Sequence, residues 1–285
     1  MRSAERQTSV APIARTLDRV SAAGGGGMEL SSRTRVPDEP GWVRVDELAA
    51  DGDLLTDIMD RIGRAYGEGG RPFTGTSLLR GYLWRMLTPA AAAFLLERRL
   101  PDPRAGSVAL RFDAGGSVED VAFVGEHFAV LPQDPDAAHP AASVLPSERE
   151  ALFSLGEALA ETHLAVLAPP LRGLGVRRGS RALRQVFADG CAEAFMFVGR
   201  HLGREAEGVE LAETLLAGPS PLSAPLNHRV LEYPGGSEAT RVRNACCLYY
   251  KTGNGVCFTC PRKTDEERVR DLLARENGSG KDGGS

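Results

Sequence analysis

Four of the chain's five cysteines, Cys246, Cys247, Cys257 and Cys260, fall within fifteen residues of one another. Thiolates grouped this way are ligands for a soft metal centre, either tetrahedral zinc or an iron–sulfur cluster. Five cysteines in 285 residues are too few for a disulfide scaffold, and in a reducing compartment a cluster of them reads as metal-binding or catalytic. Between the two pairs, Asn254-Gly255 is a strong turn signal, so the loop should fold back and bring Cys246-Cys247 against the Cys257-x-x-Cys260 pair. Adjacent side chains diverge, which is awkward for two ligands of one small zinc ion and easier on a wider centre. The pattern therefore favours a [2Fe–2S] cluster, with zinc as the alternative.

Charge is as unevenly placed as sulfur. The whole chain carries −4, yet Arg241, Arg243, Lys251, Arg262 and Lys263 lie in a stretch with no acidic residue, which leaves −9 elsewhere. Such a segment should stabilise a reduced, more negative centre and offer a docking surface for an acidic protein or an anionic substrate. The acidic total argues against a protein that coats nucleic acid. No glycine-rich stretch follows a strand and opens a helix, so nucleotide cofactors are not expected.

The cysteine segment, preceded by Arg243 and followed by Leu248-Tyr249-Tyr250, resembles the C-terminal signature of the FhuF-type ferric siderophore reductases. Nine residues separate Cys247 from Cys257 here, one fewer than in that family. Ser77-Leu78-Leu79-Arg80-Gly81-Tyr82-Leu83-Trp84, Pro89-Ala90-Ala91 and Leu96-Glu97-Arg98-Arg99 are similar to the family's N-terminal helical region. The resemblance spans roughly Trp42 to Arg275 and implies a [2Fe–2S] cluster on the four cysteines. It also implies one-electron reduction of siderophore-bound Fe(III) to Fe(II), with electrons from a ferredoxin, flavodoxin or flavin reductase. The alternatives are a zinc-stabilised siderophore- or protein-binding module and a general [2Fe–2S] electron-transfer protein. Arg80, Arg85, Arg98 and Arg99 are candidates to line a substrate pocket.

The remaining chemistry-bearing residues read as structural. Cys191 shares a helical stripe with Leu183, Phe187, Ala194 and Val198, as a core thiol would. His163 follows Leu159 at i+4 and reads as a core histidine. His127, His139, His201 and His228 have no ligand-like spacing, and His228 is the one nearest the cysteines. Tyr249 and Tyr250 are expected to pack beside the centre.

These residues need a scaffold, and the sequence predicts an α+β fold, mostly helical, with a small antiparallel β-meander and an irregular C-terminal cysteine module. Residues 1–40, with four glycines at 24–27, read as a flexible leader, and Met28 is a second candidate start. Residues 41–228 form the helical and meander region, 229–276 the cysteine module, and 277–285 a Gly/Ser-rich disordered tail. Helices are expected over Leu54–Tyr66, Ser77–Leu87, and Thr88 to Arg99 with Pro89 as first helical residue. Further helices run from the Ser147 cap to a stop at Pro169-Pro170, over Ser180–Leu202, over Val209–Ala217, and from Thr264 to about Arg275. Period-two patterning marks the meander over Val108–Leu131. The longest apolar run, Ala90–Leu96, is too short to span a bilayer, so a cytoplasmic location is expected and peripheral membrane association stays open.

Overall fold

The computed structural model of the chain describes residues 10–67 and 69–279. The fold is α+β and mostly helical, with small sheets, as expected. Its helices are α1 (Pro12–Ala22), α2 (Val45–Ala50), α3 (Gly52–Tyr66), α4 (Gly70–Glu97), α5 (Glu148–Ala158), α6 (Ala165–Gly173), α7 (Ser180–His201), α8 (Glu205–Leu216) and α9 (Asp265–Ser279). Its strands are β1 (Trp42–Arg44), β2 (Leu100–Pro101), β3 (Val108–Phe112), β4 (Val118–Phe123), β5 (Phe128–Val130), β6 (Ala142–Val144), β7 (His228–Tyr233) and β8 (Gly236–Arg241).

Helix α4 is buried on every side from Phe73 to Leu95 apart from a few positions, which is the pattern of a helix at the centre of a core. It packs on α7, and α7 packs on α8. The two expected helices, Ser77–Leu87 and Thr88–Arg99, are one. Pro89 removes a single intrahelical bond, and the Thr88 hydroxyl donates back to the Trp84 carbonyl (2.9 Å). Burial of Leu83 to Leu95 along one continuous axis outweighs that loss. The proline pair at 169–170 likewise lies inside a helix instead of ending one: α5 continues through a π-turn over Leu159–Leu164 into α6. By length and composition the 26-residue run Glu148–Gly173 could cross a bilayer. In this fold it packs against α7 and α8.

Of the expected flexible leader, 1–40, residues 1–9 lie outside the described residues and 10–40 are packed on the core. Ile13, Leu17 and Val20 of α1 are buried in the core, and Glu97 accepts hydrogen bonds from Thr16 and Arg19. The following segment explains why the meander is broken. The Arg33 carbonyl accepts from Phe123 N (2.8 Å) and the Thr34 carbonyl from Gly125 N (3.0 Å), so this segment occupies the outer edge of β4. Strand β5 pairs instead with β2, antiparallel, and with β6, parallel, while β3 and β4 form a sheet with β1. Of the expected tail, residues 277–279 close α9, and 280–285 lie outside the described residues.

Candidate metal centre

The cysteine module is built onto α7 by two acidic residues, Asp189 and Glu193, whose i,i+4 spacing puts both on one face of that helix. The β7–β8 hairpin ends at Arg241, whose guanidinium is wholly buried. It donates to Asp189 Oδ1 (2.6 Å), to the Asp189 carbonyl (3.0 Å) and to the Leu226 carbonyl (3.1 Å). Asp189 also accepts from Asn244 N (2.9 Å) and Ala245 N (2.8 Å), which fixes the backbone immediately before Cys246. One turn along, Glu193 takes both Nε and Nη2 of Arg243 and the Thr259 hydroxyl (3.1 Å). Arg243 N donates to the Thr259 carbonyl (3.0 Å), so Glu193 and the backbone together clamp the Cys246 side of the loop to the Cys260 side.

The loop between the pairs reverses as Asn254-Gly255 predicts. Gly253 and Gly255 have φ of 78° and 86°, values that glycine alone adopts without strain. Asn254 Nδ2 donates to the Tyr66 carbonyl (3.0 Å), and the Tyr249 ring meets Tyr66 edge-on at 6.2 Å, which ties the turn to the end of α3. Leu248 takes a left-handed conformation (φ 65°) and presents its N–H to Cys246 Sγ at 3.4 Å. The reversal brings Cys247 Sγ to 3.7 Å from Cys257 Sγ, and Arg243 Nη1 lies 3.3 Å from Cys257 Sγ. Cys247 is held below the ordinary thiol range, first by its hydrogen bond with Cys257, then by the Arg80 charge, the Tyr249 N–H and the Arg243 charge, against the opposing effect of burial. That shared proton pushes Cys257 up, and burial pushes Cys246 up. Two further arginines cover carbonyls of the module: Arg178 donates to the Cys246 carbonyl (2.9 Å) and the buried Arg268 to the Cys260 carbonyl (2.6 Å). Among the described residues no group of three or more His, Cys, Asp or Glu side chains is gathered so that it could hold one metal ion.

The five basic residues expected as a docking or substrate face do not act together. Arg241 is paired with Asp189, Arg243 with Glu193, and Lys263 with Asp271. Burial of a guanidinium is costly unless a carboxylate matches it, so the two arginine charges are spent inside the protein, while Lys263 is half-buried against Asp271. Only Lys251 and Arg262 stay exposed, and Arg262 stacks over Tyr250 at 4.2 Å. The four arginines suggested for a pocket also divide. Arg85 pairs with Asp120, Arg98 with Glu148 and Glu207, and Arg99 with Asp134 and Asp136, whereas Arg80 lines a cavity. That cavity, about 550 Å³, runs between α3, α4, α7 and the cysteine loop, and Cys257, Glu193 and Arg243 form part of its wall.

Cys191 is a fully buried core thiol on α7, pushed up to about 12 by burial. His163 is likewise a core residue. Its Nε2 faces the Pro103 carbonyl, which can only accept, so Nε2 carries the proton and Nδ1 accepts from the Tyr82 hydroxyl (2.7 Å). His228 opens β7 and pairs in register with Arg241. Sequence reasoning missed Asp189, Glu193, Arg178 and Arg268. A signal existed for the first two: they are the only acidic residues of α7, four apart, on a stripe otherwise made of core residues. No protein-family model matches the chain, and no curated protein is significantly similar to it.

Proposed function

We propose that Cys246, Cys247, Cys257 and Cys260 hold a [2Fe–2S] cluster and that the protein reduces siderophore-type ferric chelates by one electron. The carrying observation is the sulfur pair beside the cavity. Two thiolates on one tetrahedral metal, each at about 2.3 Å, lie about 3.8 Å apart, and Cys247 and Cys257 are 3.7 Å apart. The surroundings suit thiolate ligands as well: N–H donors from Arg243 and Leu248 are aimed at sulfur, and Arg80 and Arg243 lend positive charge.

When bound, the group supplies one electron at a time, which converts oxygen-ligated Fe(III) to Fe(II), an ion that hard oxygen donors hold far more weakly. The chain's own part is to hold four sulfurs, to keep donors directed at them, and to seat the chelate in the cavity that Cys257 borders. Arg243, locked by Glu193, keeps its N–H on Cys257 whatever the charge at the sulfur. An external donor, a ferredoxin, flavodoxin or flavin reductase, meets the loop where Lys251 and Arg262 remain in solvent.

The test is metal analysis, visible absorption and electron paramagnetic resonance of protein purified without air. The expected result is iron and sulfide in equal amounts and a paramagnetic signal after dithionite that a ferric siderophore abolishes. Serine at any of the four cysteines should remove the colour, while Cys191→Ser keeps it. A colourless protein with stoichiometric zinc would overturn the reading in favour of a zinc-stabilised binding module.

A further inference from the structure

The cavity holds an unsettled charge. Arg71, Arg85, Arg98 and Arg99, on α4 or just after it, each pair with at least one carboxylate. Arg80, on the same helix, has no hydrogen bond or ion pair among the described residues, although it is half-buried in the cavity wall. The other charges of that wall, Glu193 and Arg243, neutralise each other. Arg80 is therefore left without a carboxylate against it, next to the aromatic rings of Tyr66, Trp84, Phe197 and Tyr249. A guanidinium partly withdrawn from water against apolar walls is poorly solvated, and an anionic oxygen offered by a ligand restores what it has lost. The size also suits a small molecule: about 550 Å³ falls within the roughly 300–1,000 Å³ of ligand pockets.

We propose that this cavity is a binding site for an anionic, oxygen-rich chelate and that Arg80 is the residue that recognises its charge. The proposal rests on the ferric-chelate reading and adds the charge class of the substrate and the residue that reads it. Cys257 lies in the same wall, so a ligand that fills the cavity sits against the cysteine loop. Gly81, its neighbour, opens onto the same space: a Cβ added there would meet nothing within 4 Å.

Gallium(III) complexes test the binding without electron transfer, because gallium is not reduced. Calorimetric titration of the full-length protein should show that gallium tris-catecholate and gallium citrate, both anionic, bind at least about tenfold more tightly than a neutral gallium tris-hydroxamate. Arg80→Gln should weaken the anionic complexes by about tenfold or more and change the neutral one less than about twofold, and Arg80→Lys should recover part of the loss. Gly81→Leu, which fills the cavity from a helix that accepts leucine readily, should remove binding of every complex. Tris-catecholate binding without citrate binding, or the reverse, names the donor type and keeps the site. Equal affinity for neutral and anionic complexes, or unchanged binding in Arg80→Gln or Gly81→Leu, would overturn the proposal. Failure of the cluster reading shows separately, as a colourless zinc protein, and leaves these titrations unaffected.

Discussion

The contact between Arg243 and Cys257 depends on a carboxylate that touches no sulfur. Glu193 is buried and stays ionised because Arg243 offsets the burial penalty, and Arg243 keeps its charge because Glu193 does the same for it. Removing one member of such a pair strands the other as an uncompensated buried charge. Glu193→Gln should therefore lower the unfolding free energy by about 3 kcal/mol, read from urea denaturation, against less than about 0.5 kcal/mol for Glu157→Gln on the exposed face of α5. His163 yields a prediction of a different kind. Burial lowers its pKa from 6.5 to about 4, against the Pro103 carbonyl and the charges of Asp102 and Asp46, which work to raise it. Between those values the unfolded chain binds the proton and the folded chain does not, so stability is full above about pH 7 and falls as the pH drops toward 4. The loss amounts to roughly 3 kcal/mol. In His163→Gln that part of the pH dependence should disappear when thermal melting is followed from pH 7 to pH 4. An unchanged slope would refute the assignment.

At the scale of elements, α7 is the member on which the rest is registered. It carries Asp189 and Glu193 toward the cysteine module and packs its other faces on α4 and α8. The α7–α8 contact is close because two glycines meet: a Cβ on Gly208 would lie 2.4 Å from the Phe195 carbonyl oxygen, and one on Gly199 would lie 2.9 Å from the Cα of Gly208. These neighbours are backbone and cannot swing aside. Gly208→Ala should cost about 3 kcal/mol by forcing the helices apart, measured by chemical denaturation. The amphipathic spacing of α3 was legible in sequence, whereas its start at Gly52, capped by the Asp51 carboxylate that accepts from Leu54 N (2.9 Å), lies two residues before the expected one. The Thr264 cap of α9 was legible as well, where the hydroxyl accepts from Glu267 N (3.3 Å) and Glu267 answers by accepting from Thr264 N (2.7 Å). Pro89, Pro169 and Pro170 misled because a proline's local penalty of about 3 kcal/mol is smaller than the burial gained by a helix that continues through the core.

Over the whole molecule, residues 10–27 belong to the structure. Burying Ile13, Leu17 and Val20 contributes about 1.5–3 kcal/mol each, a sum comparable to the net stability of an ordinary domain. A chain begun at Met28 should fail to unfold cooperatively and should expose the α4 surface that α1 covers, which dye binding and a thermal melt would report. The same long-range logic decides the charges. The basic stretch 241–263 reads as a docking face, yet its two buried arginines find their carboxylates 52 and 50 residues away on α7.

The clustering of four cysteines, the turn between their pairs, two helix caps and the mostly helical class can be read along the chain, because these depend on residue chemistry and on hydrogen bonds that span four residues or fewer. Tertiary structure alone decided which cations are spent inside, which one lines a cavity without a carboxylate against it, and where a helix ignores its proline. Each of those outcomes weighs desolvation against a partner that the chain supplies from far away, and spacing along the sequence carries no record of that distance.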